Sequence, residues 1–209
     1  NLGVITVWDL SHSVGVLPIY LNKSNIDFAV GCTYKYLNGG PGSPAFIFCS
    51  KKYMNENSSI IPGWFSHKKP FEFNKNYFPS KNIDKYLTGT PSIISLAILD
   101  SALDIHNKVD INAIRNKSIS LSNILIEMIN HLPKSFNLNV ITPNDSKLRG
   151  SHVAIKTDKA KTIIKLLSNN YGITGDYRPP NIIRFGLGPL FSRYSDLYEL
   201  NKRMFSLLK

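Results

Sequence analysis

The hydrophobic pattern at the start of the chain predicts short strands of a buried sheet. Residues 3–8 form a continuous apolar run that stops at Asp9, as expected of a strand inside a parallel sheet. Residues 27–31 and 45–49 form two more apolar runs, and a glycine-rich turn lies between them at 38–42. In a doubly wound α/β sheet, ligands bind beyond the carboxyl ends of such strands. We therefore expect functional side chains just after these runs.

The pattern changes along the rest of the chain. Residues 55–91 are rich in Pro, Asn, Gly and aromatic residues and show little periodicity, which predicts a long irregular stretch. Apolar residues then recur at helical spacing after Ser92, and Asp110 has the position of an N-cap for a second helix that Pro133 stops. Beyond it the pattern predicts strands at 138–142, 151–156, 175–177 and 182–185, a helix from Ala160 to near Gly172, and a helix from about Tyr194.

These elements predict an α/β fold in two parts. Residues 1–106 are expected to be the back part of a doubly wound, mainly parallel sheet domain, and residues 107–209 a small α+β C-terminal domain. Three strands are few for a parallel sheet, so we expect the sequence to be the back half of a longer protein.

Composition limits the class of protein. The chain has 209 residues, 43% of them hydrophobic, with no apolar run of about 20 residues that would predict a membrane helix. Its two cysteines, Cys32 and Cys49, form neither a disulfide framework nor a metal cluster, which favours a reducing, cytoplasmic setting. The net charge is +11, but the basic residues are scattered and mostly Lys, which argues against a dedicated nucleic-acid surface.

Asp9, His12 and Lys35 are the candidates for chemistry. A lysine at the ligand edge of a sheet can form a Schiff base with an aldehyde cofactor, and a nearby carboxylate can pair with a protonated pyridine nitrogen. Each has a simpler alternative: Lys35 as a solvated residue at a strand end, and Asp9 with His12 as a helix cap. Asp9 and His12 alone are too few ligands for a metal.

The candidate residues lie in two longer blocks, Trp8–Gly15 and Tyr34–Gly42. These blocks resemble the kynureninase family, which belongs to the class V aminotransferase-like, fold type I pyridoxal phosphate enzymes. Five shorter blocks follow in the family's order: Gly63-Trp64, Gly89–Pro91, Gly175–Arg178, Ile183–Gly186 and Pro189–Phe191. The related cysteine desulfurases usually carry His where Tyr34 stands and Gln where His12 stands.

The resemblance implies roles for residues of the first two blocks. Lys35 is expected to hold pyridoxal 5'-phosphate and to shuttle protons, and Asp9 to pair with the pyridine nitrogen. His12 is expected close to the cofactor ring. Tyr34 is expected to hydrogen-bond the cofactor phosphate and to donate a proton, although it could instead be an interface aromatic.

The resemblance also implies roles for three later residues. Trp64 and Thr90 are expected to reach the active site of a partner subunit, near the phosphate and the substrate. Arg184 is expected to clamp the substrate's α-carboxylate. The simpler alternatives are a packing anchor for Trp64, a helix cap for Thr90 before Pro91, and a surface strand residue for Arg184.

The implied activity is hydrolysis of the Cβ–Cγ bond of L-kynurenine or 3-hydroxykynurenine to anthranilate or its hydroxy form and L-alanine, in tryptophan degradation and NAD biosynthesis. The implied assembly is a homodimer with shared active sites, completed by a missing N-terminal half. Two other classes stay open: another class V enzyme, such as a cysteine desulfurase or an aminotransferase, and a non-catalytic basic module that binds nucleic acid.

Overall fold

The computed structural model describes residues 2–55 and 61–209. The chain forms two compact units. The first comprises Asn1–Gly15 and Ile19–Lys108, and the second comprises Val16–Pro18 and Val109–Lys209. Asn1 lies outside the described residues, and so do residues 56–60, which are part of the predicted irregular stretch.

A three-stranded sheet organises the first unit, with strands β1 (Val7–Asp9), β2 (Phe28–Cys32) and β3 (Ala45–Cys49) in that order. β1 runs parallel to β2, with Asp9 opposite Val30, and β3 runs antiparallel to β2. Because β1 and β2 are parallel, their carboxyl ends lie at the same edge of the sheet. This edge carries the candidate site.

The prediction for the first strand was wrong in its length and its burial. β1 has three residues, and Val7 and Trp8 are 66% and 53% exposed. An apolar run indicates that a strand is suited to burial, but burial also needs packed neighbours on both faces. Within the part of the chain that the structure describes, β2 is the only strand that pairs with β1.

The rest of the first unit contains short helical turns and one long helix. Helix α1 (Lys51–Met54) is followed by 3-10 turns at Trp64–Ser66, Pro70–Glu72 and Ile83–Tyr86, which agree with the predicted irregular stretch. Helix α2 (Ile93–Asn107) then begins after Ser92, as the pattern predicts.

The second unit packs three helices on an antiparallel sheet. Its elements are α3 (Ile111–His131), β4 (Asn139–Val140), β5 (His152–Lys156), α4 (Ala160–Tyr171), β6 (Asp176–Arg178), β7 (Ile182–Gly186) and α5 (Tyr194–Leu208). The strand order is β4-β5-β7-β6. The predicted cap is confirmed, since the Asp110 carboxylate accepts a 3.2 Å hydrogen bond from the Asn112 amide.

One continuous apolar core holds the second unit together. Its fully buried members come from both the helices and the central strands, and they include Leu121, Leu125, Ile155, Leu167, Ile183 and Met204. The buried strand residues of this core lie on the two central strands, β5 and β7. In the described part of the chain, no helix is both long enough and apolar enough to cross a membrane.

Candidate active site

Asp9 is the last residue of β1, and a tight turn follows it. The backbone amide of Ser11 donates a 2.8 Å hydrogen bond to Asp9 Oδ1, which closes an Asx turn. The amides of Ser13 and Val14 both donate to the carbonyl of Leu10 at 2.9 Å, so the chain makes one helical turn here. His12 lies exposed in this turn, close to the carboxylate that precedes it.

Lys35 lies in a closed loop beyond the end of β2. The Gly39 amide donates to the carbonyl of buried Thr33 at 3.0 Å, and the Asn38 amide donates to the carbonyl of Lys35 at 3.1 Å. Asn38 has a φ of 59°, a left-handed conformation that Asn tolerates better than most residues. The loop is therefore held by its own backbone, with the Lys35 side chain at the sheet edge.

The Lys35 ammonium contacts two side chains near its own backbone. Its Nζ donates a 3.3 Å hydrogen bond to Cys32 Sγ and lies 4.8 Å from the centre of the Tyr34 ring. Burial lowers the pKa of Lys35, but hydrogen bonds with Tyr34 and Cys32 outweigh it and raise the pKa above its ordinary value. Without a cofactor, Lys35 is therefore an ammonium group at neutral pH.

Asp9, His12 and Lys35 form one electrostatic group. Hydrogen bonds from the side chain and the backbone of Ser11 lower the pKa of Asp9, and the charges of Lys35 and His12 lower it further. Asp9 is fully exposed, so solvent screens these charges. The structure brings together four of the predicted residues: Asp9, His12, Tyr34 and Lys35.

Gly15 sets the distance between the two loops. Its φ is +84°, and a Cβ atom at this position would lie 2.8 Å from the carbonyl carbon and oxygen of Tyr36. Only glycine adopts this conformation readily and leaves room for that contact. The turn after Asp9 can therefore pack directly on the backbone next to Lys35.

Trp64 lies in a separate aromatic cluster of the first unit. Its ring makes edge contacts with Phe65 and Phe71, at 4.6 and 5.7 Å between centroids. Trp64 is 45% exposed and lines a cavity of about 480 Å³ together with His67 and Tyr77. An aromatic cavity of this size is suited to a small ring compound.

Thr90 follows a segment that contacts the turn carrying Trp64. A Cβ at Gly63 would lie 1.7 Å from the carbonyl oxygen of Thr88, so the turn that carries Trp64 abuts the segment leading to Thr90. Thr90 itself is exposed, and the N-cap position of α2 belongs to Ser92. The simpler reading of Thr90 as a helix cap was therefore wrong.

Arg184 lies in the second unit, on β7. Its Nη2 donates a 2.5 Å hydrogen bond to Asp176 Oδ2, and the same oxygen accepts a 2.9 Å hydrogen bond from Arg178 Nε. Asp176 and Arg184 are register partners on β6 and β7. Arg184 is therefore a partly buried guanidinium that already binds a carboxylate within the chain.

Ser11 and Cys32 were missed as site residues from the sequence. The spacing Asp-x-Ser predicts an Asx turn and could have pointed to Ser11. No local pattern indicates Cys32, because its contact with Lys35 depends on how the loop folds back after β2. Burial raises the pKa of Cys32, but hydrogen bonds from Ser11 and Lys35 outweigh it and the net shift is downward.

Comparison with known sequences finds kynureninases. Residues 114–204 match the family model of the kynureninase C-terminal domain. The kynureninase of Deinococcus radiodurans is 39% identical over 195 residues, which cover 93% of this chain and 47% of that protein. The kynureninase of Pseudomonas fluorescens is 38% identical and covers 94% of this chain, again with 47% of its own length. The chain thus spans about half the length of these curated relatives.

Comparison with solved structures finds the same fold at low identity. Apo cysteine desulfurase from Thermococcus onnurineus has a TM-score of 0.79 and 15% identity, over 99% of this chain and 53% of that one. A C-DES mutant with glycine covalently linked to its pyridoxal phosphate has a TM-score of 0.76 and 15% identity, over 92% of this chain and 49% of that one. Over most of its length the chain is therefore similar to about half of a kynureninase, and it has the α/β fold of class V, fold type I pyridoxal phosphate enzymes.

Proposed function

We propose that the chain supplies the lysine-bearing part of a kynureninase. The reaction is hydrolysis of the Cβ–Cγ bond of L-kynurenine or 3-hydroxykynurenine, with pyridoxal 5'-phosphate as cofactor. The observation that carries the proposal is that Asp9 ends one parallel strand and Lys35 lies in the loop just beyond the carboxyl end of the next, in a chain that is 39% identical to a curated kynureninase over 195 residues.

The residues present fit the proposed cofactor. Lys35 supplies a primary amine for the aldehyde, and the lowered pKa of Asp9 keeps a carboxylate available for the pyridine nitrogen. Bound pyridoxal phosphate supplies an electron sink for the pair of electrons left at the substrate's α-carbon. Tyr34, half exposed beside Lys35, has a hydroxyl suited to the cofactor phosphate.

The chain's own residues then have separate tasks. Lys35 holds the cofactor and, once its amine is free, takes the proton from the α-carbon of the substrate and returns protons later. Tyr34 donates the proton that completes alanine, and His12 orients the ring or the substrate from the turn after Asp9. The bond cleaved lies next to a ketone, so a water must also add at the γ-carbonyl.

Substrate recognition is proposed for Arg184, Trp64 and Thr90. The Arg184 guanidinium presents a planar fork suited to the α-carboxylate of an amino acid. The aromatic cavity at Trp64 is suited to the aryl ring of kynurenine. Trp64 and Thr90 are proposed to act in the site of a partner subunit of a homodimer.

The proposed setting is the cytoplasm, and the two free cysteines support a reducing compartment. The proposed pathway is tryptophan degradation and the supply of NAD precursors. The remaining half of the relatives' length is proposed to supply the phosphate-binding loop and the aromatic that stacks on the cofactor ring. Residues 1–106 are proposed as part of the cofactor-binding domain and residues 107–209 as the small domain.

The second candidate is a cysteine desulfurase, because such enzymes share the fold. It needs a cysteine on a loop that can reach the substrate sulfur. Cys32 ends β2 and Cys49 is buried at the end of β3, so the described cysteines lie within strands. The sequence identity to kynureninases also favours the first candidate.

Turnover of kynurenine tests the proposal. The chain is combined with the complementary half of the Deinococcus radiodurans kynureninase and pyridoxal phosphate, and anthranilate is followed by its fluorescence. We expect turnover that Lys35→Ala abolishes. Alanine and sulfur release from cysteine, without anthranilate from kynurenine, would replace the proposal with the desulfurase.

A further inference from the structure

Ser11 acts on the Asp9 carboxylate through its backbone and through its side chain. Its backbone amide donates to Asp9 Oδ1 at 2.8 Å, and its hydroxyl lowers the pKa of the same carboxylate. A carboxylate on an exposed strand end otherwise rotates freely about its side-chain torsions. The hydrogen bond from the Ser11 amide restricts this rotation, and it ties the orientation of the carboxylate to the position of Ser11.

Ser11 also binds the neighbouring strand end. Its Oγ accepts a 3.2 Å hydrogen bond from the Cys32 amide, and its carbonyl oxygen lies 3.9 Å from Cys32 Sγ. Cys32 in turn accepts the hydrogen bond from Lys35 Nζ. A hydroxyl can donate one hydrogen bond and accept two, so Ser11 can bind Asp9 and Cys32 at the same time.

The contacts of Ser11 therefore join the two ends of the candidate site. On one side is the carboxylate proposed for the pyridine nitrogen, and on the other is the backbone that leads to the cofactor lysine. Of the groups that act on Asp9, Ser11 has the largest lowering effect on its pKa, ahead of the charges of Lys35 and His12. Ser11 is half-buried, so water competes less for these hydrogen bonds.

We propose that Ser11 is a positioning residue, which fixes the Asp9 carboxylate toward the cofactor nitrogen and holds it against the strand end that leads to Lys35. This role rests on the proposed function, since it matters only if Asp9 faces a pyridine ring. Ser11 touches neither the substrate nor the reacting atoms in this role; it acts through Asp9 and Cys32.

The test titrates Asp9 in the intact chain without cofactor, through the ¹³C shift of its carboxyl carbon. Ser11→Ala removes the hydroxyl, so we expect an upward shift of the Asp9 titration midpoint. Ser11→Thr keeps the hydroxyl and should restore the wild-type midpoint. Ser13→Ala, a serine of the same turn, is the matched control and should leave the midpoint unchanged.

A second readout avoids acidic conditions. The alkylation rate of Cys32 is measured against pH between about 7 and 9.5 by mass mapping, with melting curves to show that each variant is folded. Because the Ser11 hydroxyl accepts a hydrogen bond from the Cys32 amide, Ser11→Ala should free this strand end and raise the alkylation rate of Cys32, and Ser11→Thr should not. The near-isosteric Ser11→Cys replaces Ser11→Ala in the Asp9 titration if the alanine variant does not fold.

Two results would overturn the proposal for Ser11. One is an Asp9 midpoint that does not move in Ser11→Ala. The other is an equal shift in Ser11→Thr, which would mean that side-chain shape rather than the hydroxyl matters. Neither result involves the cofactor, so failure here leaves the turnover of kynurenine as an independent test of the proposed function.

Discussion

At the scale of single residues, the site depends on contacts that adjust protonation. Lys35 is held as an ammonium by Cys32 and Tyr34, while Asp9 is held as a carboxylate by Ser11. The sequence predicts the residue types at both strand ends, because each follows an apolar run. It does not predict the pairing of Cys32 with Lys35, since that contact requires the loop to fold back on the strand.

Removal of Cys32 should speed attachment of the cofactor. Only the free amine attacks an aldehyde, and a raised pKa leaves less free amine at a given pH, so attachment should become faster as the pH rises toward the pKa of Lys35. Cys32→Ala removes one cause of the raised pKa and should give faster borohydride-trapped labelling at pH 7.5. Cys49→Ala, at the end of β3, is the control. Slower labelling in Cys32→Ala, with no change in Cys49→Ala, would contradict the role of the contact between Cys32 and Lys35.

Arg184→Lys should weaken substrate binding in the complemented enzyme. A lysine keeps the charge but loses the planar fork, so we expect KM for kynurenine to rise by about tenfold or more with little change in cofactor attachment. Arg178→Lys is the matched control, because Arg178 binds the same Asp176 oxygen but is more exposed. Equal loss of cofactor and substrate binding in Arg184→Lys would mean that Arg184 is structural.

At the scale of elements, the two loops of the site are brought together by close backbone contact. The strand pattern predicts β2 and β3 almost to the residue, the apolar spacing after Ser92 predicts where α2 begins, and the Asp110 cap predicts where α3 begins. Apolar periodicity carries no information about the contact of Gly15 with Tyr36, because glycine has no side chain. Such contacts can be seen only once both loops are folded.

Gly15→Ala should separate the two loops. The substitution forces a residue with a side chain into a left-handed conformation and against the Tyr36 carbonyl, at a cost of about 1–3 kcal/mol in the free energy of unfolding. Gly42→Ala shares the positive φ but has open space around it, so it separates conformational strain from the contact. The measurement is urea unfolding together with labelling of Lys35. Equal effects of both substitutions would contradict a role for the contact.

At the scale of the whole molecule, the two units differ in how much apolar surface they bury. The described core cluster lies in the second unit, whereas the first unit exposes large apolar side chains before β1, on β1 and on α2, among them Val4, Val7, Trp8, Ile93 and Ile94. The sequence predicts these residues as apolar, but it cannot show what covers them. The described residues leave these side chains of the first unit exposed.

Hydrogen exchange should therefore differ between the units. Burial of apolar surface is the main stabilising contribution, so amides of α3, β5 and β7 should exchange far more slowly than those of β1 and α2. Exchange is followed by mass spectrometry on the isolated chain, with and without the complementary half. We expect added protection in β1 when that half is present. Equal protection in both units of the isolated chain would contradict the difference in packing.

Lys35 is proposed as the cofactor lysine, and every other proposed role depends on it. The chain is incubated with pyridoxal phosphate and the complementary half of a curated kynureninase, reduced with borohydride, digested and mapped by mass. We expect one dominant label on the peptide that contains Lys35, and its loss in Lys35→Ala. A label that persists in Lys35→Ala, or that spreads evenly over the 19 lysines, would contradict the account.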